Sequence, residues 1–410
     1  MIFQHYASKQ VCVRHTIHPV KEKKIIYFGL SYCSSDDRGA YRRRKWYESE
    51  RALDRGMRAA LLVDLGGKHV LYNHIGVDLG SDMTRIFAGR GIVLSEPSVV
   101  AVDTATGEPV EYGRAAAQMV GRTSKRVSPV YAIERGGIAD YDVAERMLTE
   151  YLRRVCGRRM VKPRVMVTTP SGISTLQQRS LVKALQSAGA RSVCIVSSPL
   201  AVAIGLSVDF SSPHGTTIVD IGKGTTDVAV LSMGGVAVCE SARIAGVDFD
   251  EAIIKYARRE HNILIGSLTA EKIKIEVGAV CPQPLDVAIF AKGLNQFTGL
   301  PQSFEISTED VAVAVAEPAE TLVKTIQNVL EQTPPELAAD ISREGIILTG
   351  GGALLRGMSD FLSERLSTRV TLADDPMGNA VRGTGKILSD VRILHNGNYR
   401  FRTLKDLTVD

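Results

Sequence analysis

Two short stretches of this 410-residue sequence end an apolar run in an aspartate and follow it with a glycine-rich turn. In the downstream stretch, Asp220 precedes Gly222 and Gly224, and β-branched residues then resume the alternation that is typical of a strand. Glycines let backbone N–H groups approach an anion closely, and a carboxylate at such a turn can hold a hydrated Mg²⁺. The stretch predicts a phosphate-binding hairpin, although an ordinary hairpin with an acidic corner shares the pattern.

A second copy of this plan lies upstream, where Asp78 is followed by Gly80, Ser81 and Thr84. The two aspartates are 142 residues apart, which is about one domain length. A repeat on that scale predicts two similar lobes that each offer one phosphate-binding hairpin to a shared cleft.

A third glycine-rich element follows near the end of the chain. An apolar run at 345–349 leads into Gly350, Gly351 and Gly352 and then into an apolar pattern that starts a helix. Without side chains at these three positions, the backbone can lie flat against a nucleotide.

The order of these three elements resembles the superfamily of actin, sugar kinases and heat-shock ATPases. Within it, residues 75–388 resemble the bacterial actin homologues of the MreB/Mbl family almost without interruption. The motifs that carry this closer resemblance lie at 91–100, 169–173, 269–276, 334–338 and 373–376. The resemblance implies an actin-like, two-lobed α/β ATPase fold, with duplicated ribonuclease H-like domains and a nucleotide cleft between them.

The same resemblance implies a division of the chain into segments. Residues 1–74 form an N-terminal extension that is poorly ordered or follows a start placed too early, with Met57 as a possible start. The first lobe covers 75–217, with a small subdomain at about 91–132, and the second covers 218–372, with a small subdomain at about 243–305. Residues 373–395 return to the first lobe, and 396–410 are a tail.

For the site, the resemblance implies ATP and Mg²⁺ in the cleft, with the ion held through its waters by Asp78 and Asp220. The residues expected to bind the nucleotide are two in contact with ribose and base, Glu271 and Lys274, and those of the three glycine-rich elements: Gly80, Ser81, Thr84, Gly222, Gly224, Thr225, Thr226, Gly350, Gly351 and Gly352. Two alternatives stay open. Glu271 and Lys274 can form a surface ion pair three residues apart on a helix, and Thr225 and Thr226 can serve only as β-formers.

Three positions depart from the family pattern. Met83 stands where relatives usually have Asn, and Lys223 stands where they have Gly. Ser198 stands before Pro199, where relatives have the glutamate that orients the attacking water. Because a serine cannot act as a carboxylate base near neutral pH, we expect weak ATP hydrolysis at most.

The catalytic candidates are therefore Thr225, Thr226 and Ser198, with Asp227 as an alternative group that positions the water. Asp82 is also unusual in the first hairpin of this family pattern. It adds a negative charge near the phosphates and is expected to weaken binding by repulsion.

The resemblance implies a filament-forming protein that binds ATP and maintains cell shape by organising peptidoglycan synthesis at the inner membrane face. It implies self-assembly into paired protofilaments and partners of the MreC, MreD and RodZ type. Leu176 matches the apolar face that pairs protofilaments, although a core leucine fits the pattern equally well.

Three other functions are alternatives to this one. A hydrolysis-impaired paralogue that co-assembles with a competent MreB fits the loss of the glutamate at Ser198. A heat-shock-type chaperone needs a peptide-binding domain, and only about 20 residues follow position 388. A sugar kinase needs a catalytic aspartate and a larger insert, neither of which the sequence indicates.

The net charge of +5 is unevenly distributed. Residues 1–74 carry a net +7 and the remainder a net −2, so the basic character belongs to the leading segment. The basic and aromatic run at 41–47 fits a nucleic-acid or membrane arm, but a solvated tail explains it as well. We expect no nucleic-acid partner. The hairpin-like stretch at 62–67 lacks the continuation that follows the stretch at Asp78, and we interpret it as a decoy.

Cysteine spacing and hydropathy indicate a cytoplasmic protein. The six cysteines include no C-x-x-C pair, and no apolar run reaches the roughly 20 residues of a membrane span. Met160 and Val161 form an apolar tip between basic residues at 153, 154, 158, 159, 162 and 164. This tip predicts a peripheral contact with an anionic membrane surface, and a solvated basic loop is the alternative.

Overall fold

The computed structural model describes residues 13–20, 23–30, 73–157, 162–389 and 402–403. The chain forms two compact units, Met1–Ala60 and Leu61–Asp410. In the first unit, strands Val13–Val20 and Lys23–Leu30 pair antiparallel, with Val13 opposite Leu30. The sequence does not predict this hairpin. The stretches at 41–47 and 62–67, and the tip at Met160 and Val161, lie outside the described residues.

The second unit contains a six-stranded sheet, here called the first sheet. A meander of His74–Leu79, Met83–Ala88 and Gly91–Pro97 occupies one side of it, with both pairings antiparallel. Two strands then add in parallel register, Arg164–Thr169 beside His74–Leu79 and Ser192–Ser197 beyond it. Strand Arg402–Thr403 pairs antiparallel at the outer edge.

A five-stranded second sheet repeats this connectivity. Its antiparallel meander consists of Thr216–Ile221, Thr226–Ser232 and Gly235–Ala242. Strand Ile346–Thr349 adds in parallel beside Thr216–Ile221, and Val370–Leu372 adds in parallel beyond it. In each sheet the strand that carries the aspartate of the glycine-rich turn pairs with both the meander and the parallel strands. The duplication predicted from the sequence is thus present in the strand order.

Helices and two small sheets complete the second unit. The small sheets are Pro109–Tyr112, Val99–Asp103 and Val127–Tyr131, with the short helix Arg114–Ala117, and Ile263–Leu264, Ala288–Asn295 and Pro301–Ser307. Strands Ile133–Glu134 and Gly137–Ile138 form a short ladder. The longer helices are Tyr141–Cys156, Thr175–Ser187, Ser198–Leu206, Gly246–Glu260, Ser267–Val277, Thr308–Glu331, Pro335–Glu344, Met358–Leu366 and Asn379–Ser389.

Two helices have starts that are set by local interactions. Helix Gly246–Glu260 begins at Gly246, because the Asp248 carboxylate accepts a hydrogen bond from Ala245 N (2.8 Å) and caps the first turn. The helix predicted after the three glycines begins only at Met358. A 3₁₀ turn, Gly351–Leu354, precedes it, and Gly357 adopts a left-handed conformation with φ of 74°. In the described part of the chain, no helix is both long and apolar enough to cross a bilayer.

The two sheets are joined through helices Ser198–Leu206 and Asn379–Ser389. An apolar cluster that includes Met166, Val196 and Ile218 draws residues from both sheets and both helices. The two helices cross where each has a glycine. A Cβ on Gly205 would overlap the Asn379 carbonyl oxygen, and one on Gly383 would overlap the Ala201 carbonyl oxygen. Backbone therefore packs on backbone at the joint between the lobes.

Replacing Gly383 with alanine is expected to lower the free energy of unfolding by about 1–3 kcal/mol, the usual cost of overpacking a tight interior. The added methyl group would meet a carbonyl oxygen that belongs to a helix backbone and cannot rotate away. Denaturant unfolding of the purified protein measures the change. Gly91→Ala is the matched control, since a Cβ there meets nothing within 4 Å. Equal stability of both variants would contradict the backbone packing.

Candidate functional site

The turn of the first hairpin is closed by a hydrogen bond from Gly80 N to Met83 O (3.1 Å). Thr84 lies beneath this turn and is fully buried. Its hydroxyl bonds Ser98 Oγ (2.9 Å), and Ser98 in turn donates to Gly80 O (2.7 Å). The hydroxyl of Thr84 therefore supports the turn from below and does not reach the cleft, and contact between Thr84 and the nucleotide stays a prediction.

The turn of the second hairpin has the same closure, from Gly222 N to Thr225 O (2.9 Å). Thr226 repeats the position of Thr84: it is fully buried, and its hydroxyl donates to Ile244 O (2.6 Å). The hydroxyl of Thr226 is likewise turned away from the cleft, and its contact with nucleotide or water stays a prediction. The threonine that follows each turn anchors it, which leaves the turn's backbone N–H groups to the cleft.

Both turns open onto a cavity of about 440 Å³, within the range of small-molecule sites. The structure brings most of the predicted site residues to its wall, and Thr84 and Thr226 are the ones left beneath it. The predicted residues that line the cavity are Asp78, Gly80, Ser81, Ser198, Asp220, Gly222, Gly224, Thr225, Glu271, Lys274, Gly350, Gly351 and Gly352.

The two aspartates at the strand ends are electrostatically coupled across this cavity. Asp78 accepts a hydrogen bond from Thr168 Oγ1 (2.7 Å), and the Arg85 guanidinium lies 3.9 Å from its other oxygen. Burial raises the pKa of Asp78 in spite of these two partners. Burial, followed by the charges of Asp227 and Asp78, raises the pKa of Asp220 to about 8.

These carboxylates fit a hydrated cation. Among the described residues, no group of three or more His, Cys, Asp or Glu side chains is arranged to hold a metal directly. The carboxylates of Asp78 and Asp220 offer too few oxygen ligands to enclose an ion, and a cation between them offsets their repulsion. Both features suit Mg²⁺, which prefers to keep several of its waters. Gly350 preserves the space beside Asp220, since a Cβ at that position would lie 2.6 Å from Asp220 Oδ1.

Stability without ligands should depend on pH through Asp220. The pKa of Asp220 is about 8 in the folded protein and 3.8 for an unperturbed aspartate, so as pH rises the unfolded chain loses the carboxyl proton before the folded protein does. Stability is then lost as pH rises from about 4 towards about 8. Asp220→Asn removes this loss, and its advantage over the wild type should grow between pH 5 and pH 8 to the order of a few kcal/mol. Denaturant unfolding at both pH values measures it. A constant difference between the two proteins would contradict the raised pKa.

The three glycines at 350–352 are required for two different reasons. Gly350 has φ of 88°, and a Cβ there or on Gly352 would overlap atoms of Ile221 in the second hairpin. Gly351 has nothing nearer than the Met377 side chain at 3.9 Å and leaves the backbone open towards the cavity. Gly350 and Gly352 thus allow close packing against the second hairpin, and Gly351 leaves the backbone accessible from the cavity.

Glu271 and Lys274 both line the cavity but do not pair with one another. Lys274 Nζ donates to Gly246 O (2.8 Å) and lies 2.8 Å from Asp250 Oδ1. Glu271 Oε1 accepts from Lys223 Nζ (2.9 Å). The alternative of a simple surface ion pair between them is therefore wrong.

Sequence reasoning missed two polar residues of the cavity wall, Thr168 and Arg85, and it missed the partners of Lys223 and Asp227. Thr168 and Arg85 hold Asp78, and Lys223 bonds Asp82 as well as Glu271. Asp227 accepts a hydrogen bond from Ser171 N (2.7 Å), and burial raises its pKa to about 6. Opposite charges at the tips of the two turns, Asp82 and Lys223, were the available signal for their pairing.

Two predicted residues stand at helix starts. Ser198 is the first residue of helix Ser198–Leu206 and reaches the cavity. Leu176, on helix Thr175–Ser187, exposes 73% of its surface, so the alternative of a core leucine is wrong.

Most of the second unit matches known proteins. A family model described as MreB/Mbl protein matches residues 72–396. The cell shape-determining protein MreB of Escherichia coli (strain K12) is 41% identical over 333 residues, which cover 80% of this chain and 96% of that protein. The cell shape-determining protein Mbl of Bacillus subtilis (strain 168) is 39% identical over 319 residues, or 77% of this chain and 96% of Mbl.

A solved structure extends the likeness to the fold. MreB5 of Spiroplasma citri, bound to AMPPNP, superposes with a TM-score of 0.75 at 32% identity. The match covers 79% of this chain and 98% of MreB5. The repeated sheets, the cavity between their hairpins and these likenesses agree, and the chain belongs to the MreB/Mbl family of actin-like proteins.

Proposed function

We propose that this chain binds Mg²⁺–ATP in the cavity between its two hairpins and assembles into filaments that determine cell shape. The observation that carries the proposal is the pair of equivalent turns, each with an aspartate at its base, that open onto one cavity of about 440 Å³. MreB5 of Spiroplasma citri, 32% identical, has been solved with AMPPNP and with ADP. The curated relatives are named as cell shape-determining proteins.

Different residues of the cavity wall contact different parts of the nucleotide. The backbone amides of the two turns, with the hydroxyls of Ser81 and Thr225, donate to the phosphates. Glu271 accepts from the ribose hydroxyls, and the open backbone at Gly351 lies along the adenosine. When bound between Asp78 and Asp220, Mg²⁺ neutralises phosphate charge.

Hydrolysis is the step for which this chain is least well equipped. Ser198 occupies the position of the water-orienting glutamate in the family and offers a hydroxyl at the cavity wall. A hydroxyl can position a water but cannot take its proton near neutral pH. The chain then binds ATP and releases phosphate slowly, and Thr225 and Asp227 are the remaining groups that can orient the water. Ser198 also favours a second candidate function. In it, this chain is a hydrolysis-impaired paralogue that co-assembles with a competent MreB.

The filaments are proposed to be paired protofilaments on the inner face of the cell membrane. There they would organise peptidoglycan synthesis together with membrane proteins of the MreC, MreD and RodZ type. The exposed Leu176 is an apolar side chain available for pairing two protofilaments. The test of the whole proposal is sedimentation of the purified protein with and without Mg²⁺–ATP, followed by electron microscopy of the pellet. ATP-dependent paired filaments are expected, and protein that stays in the supernatant in both conditions would overturn the proposal.

Membrane contact through the apolar tip is a separate prediction. Met160→Asp combined with Val161→Asp should abolish flotation with anionic liposomes, because shallow insertion of the tip is lost. Each flanking basic residue adds up to about 1 kcal/mol of attraction, so flotation of the wild type should also weaken with salt. Leu285→Asp is the control, since Leu285 is equally apolar and 73% exposed elsewhere on the surface. Unchanged flotation of the double variant would remove the tip from the account.

A further inference from the structure

The two charged residues that depart from the family pattern in the hairpin turns bind one another. Lys223 Nζ, in the second turn, lies 2.9 Å from Asp82 Oδ1 in the first turn. The same ammonium group lies 2.9 Å from Glu271 Oε1 on helix Ser267–Val277. One lysine thus joins a carboxylate of the first lobe to a carboxylate of the second.

This bridge lies at the rim of the cavity. All three residues line the cavity, and the exposed fraction of the side chain rises from 20% at Lys223 to 27% at Glu271 and 48% at Asp82. Burial alone would lower the pKa of Lys223, but the charges of Asp82 and Glu271 outweigh it and the net shift is upward. Lys223 is therefore a fixed positive charge at this rim.

The pairing accounts for two substitutions that are unfavourable singly. Asp82 alone brings a negative charge towards the phosphate sites, and Lys223 alone places a long side chain where relatives have glycine. Together they form a neutral contact between the tips of the two turns. The contact can exist only while the two lobes are close, because each partner is fixed to a different hairpin.

A second ion pair crosses between the lobes at a different place. Arg135 Nη1 lies 3.1 Å from Asp248 Oδ1 and donates to Arg243 O (2.6 Å), and the adjacent Gly136 N donates to Ser81 Oγ (3.1 Å). Neither Arg135 nor Asp248 lines the cavity. Of these two ion pairs between the lobes, only the one through Lys223 lies on the rim of the cavity.

We propose that Asp82 and Lys223 form a latch across the mouth of the nucleotide cleft. The inference rests on the proposed binding of a nucleoside di- or triphosphate in this cavity. A nucleotide leaves only after the lobes separate, and separation must break the bond between Lys223 and Asp82. Lys223 then stays with Glu271, so opening leaves the sugar-binding carboxylate paired on its own lobe. The latch lengthens the residence time of the nucleotide in a chain that hydrolyses it slowly.

Asp82→Asn is the decisive variant, because the latch and simple charge repulsion predict opposite effects. Loss of a negative charge near the phosphates should slow nucleotide release, whereas loss of the latch should accelerate it. Release of a fluorescent ATP analogue, chased with excess ATP, is expected to be about fivefold faster, the upper end for a partly exposed ion pair. Unchanged or slower release would overturn the latch.

The dependence on Lys223 completes the test. In a Lys223→Met background, Asp82→Asn should no longer accelerate release, since the partner is gone. Persistent acceleration would overturn the pairing. Lys272→Met is the matched control: it removes a lysine of the same helix as Glu271 that is 68% exposed and paired only with Glu276 at 3.8 Å, and it should leave release unchanged.

Unfolding without nucleotide gives a second readout. The effects of Asp82→Asn and Lys223→Met on the unfolding midpoint should be less than additive in the double variant, and strict additivity would contradict the bond. A wild-type chain that binds no nucleotide would overturn the proposed function, and the latch as a nucleotide gate with it. Normal binding with unaccelerated release in Asp82→Asn would overturn the latch alone.

Discussion

Replacing Ser198 with glutamate is expected to accelerate ATP hydrolysis by the order of 10²-fold, the low end of what a positioned general base contributes. Ser198 is the first residue of its helix and faces the cavity, so a longer side chain there points to the space where the attacking water must lie. A carboxylate also suits the first turn of a helix, where the backbone dipole favours negative charge. Phosphate release under polymerising conditions measures the rate.

Ser198→Gln provides the matched control for this variant. Glutamine has the size of glutamate but cannot accept the proton, so it should leave the rate close to that of the wild type. If Ser198→Glu also matches the wild type, and both already hydrolyse ATP as fast as a relative with the glutamate, then Thr225 or Asp227 positions the water adequately. That result would contradict the assignment of Ser198 as the missing base.

The second large effect is expected on Mg²⁺-dependent ATP binding when the Asp220 carboxylate is replaced by an amide. Asp220→Asn keeps the shape of the side chain but leaves Asp78 as the only carboxylate of the pair. Loss of a group that orients the shell of a metal typically costs 10–100-fold in metal affinity. We therefore expect the enhancement of ATP binding by Mg²⁺ to fall by about 10–100-fold. Binding without Mg²⁺ should be retained, because Asp220 has a pKa of about 8 and carries little charge near neutral pH before the ion binds.

Titration of ATP with and without Mg²⁺, by calorimetry or with a fluorescent analogue, measures this enhancement. Asp360→Asn serves as the control because Asp360 is an exposed carboxylate on helix Met358–Leu366, outside the cavity. An enhancement that is equal in Asp220→Asn and in the control would contradict the proposed ion site.

The main features of the fold could be predicted because they depend on local pattern and repetition. The repeat of aspartate and glycine at Asp78 and Asp220 indicated two lobes, and the structure contains two sheets of the same connectivity. Boundaries were less predictable, since Gly246 begins a helix through a capping bond that apolar periodicity does not reveal. The residue limits of the lobes and small subdomains stay predictions.

The site was predictable to the level of the elements and less so for single side chains. Thr84 and Thr226 follow glycine-rich turns, where hydroxyls often face phosphate. Whether a hydroxyl points up into a cleft or down into the fold depends on strand alternation relative to the turn, and both point down. The bond between Lys223 and Asp82 joins residues 141 positions apart, and their opposite charges at equivalent turns were its one signal in the sequence.

The most direct test of the account is a structure of this chain determined with Mg²⁺ and AMPPNP. We predict phosphate oxygens within hydrogen-bond distance of backbone N–H groups in both turns, 80–83 and 222–225. We also predict one ion whose waters contact Asp78 and Asp220. An empty cavity at saturating nucleotide, or a nucleotide bound at any other surface, would contradict the central claim.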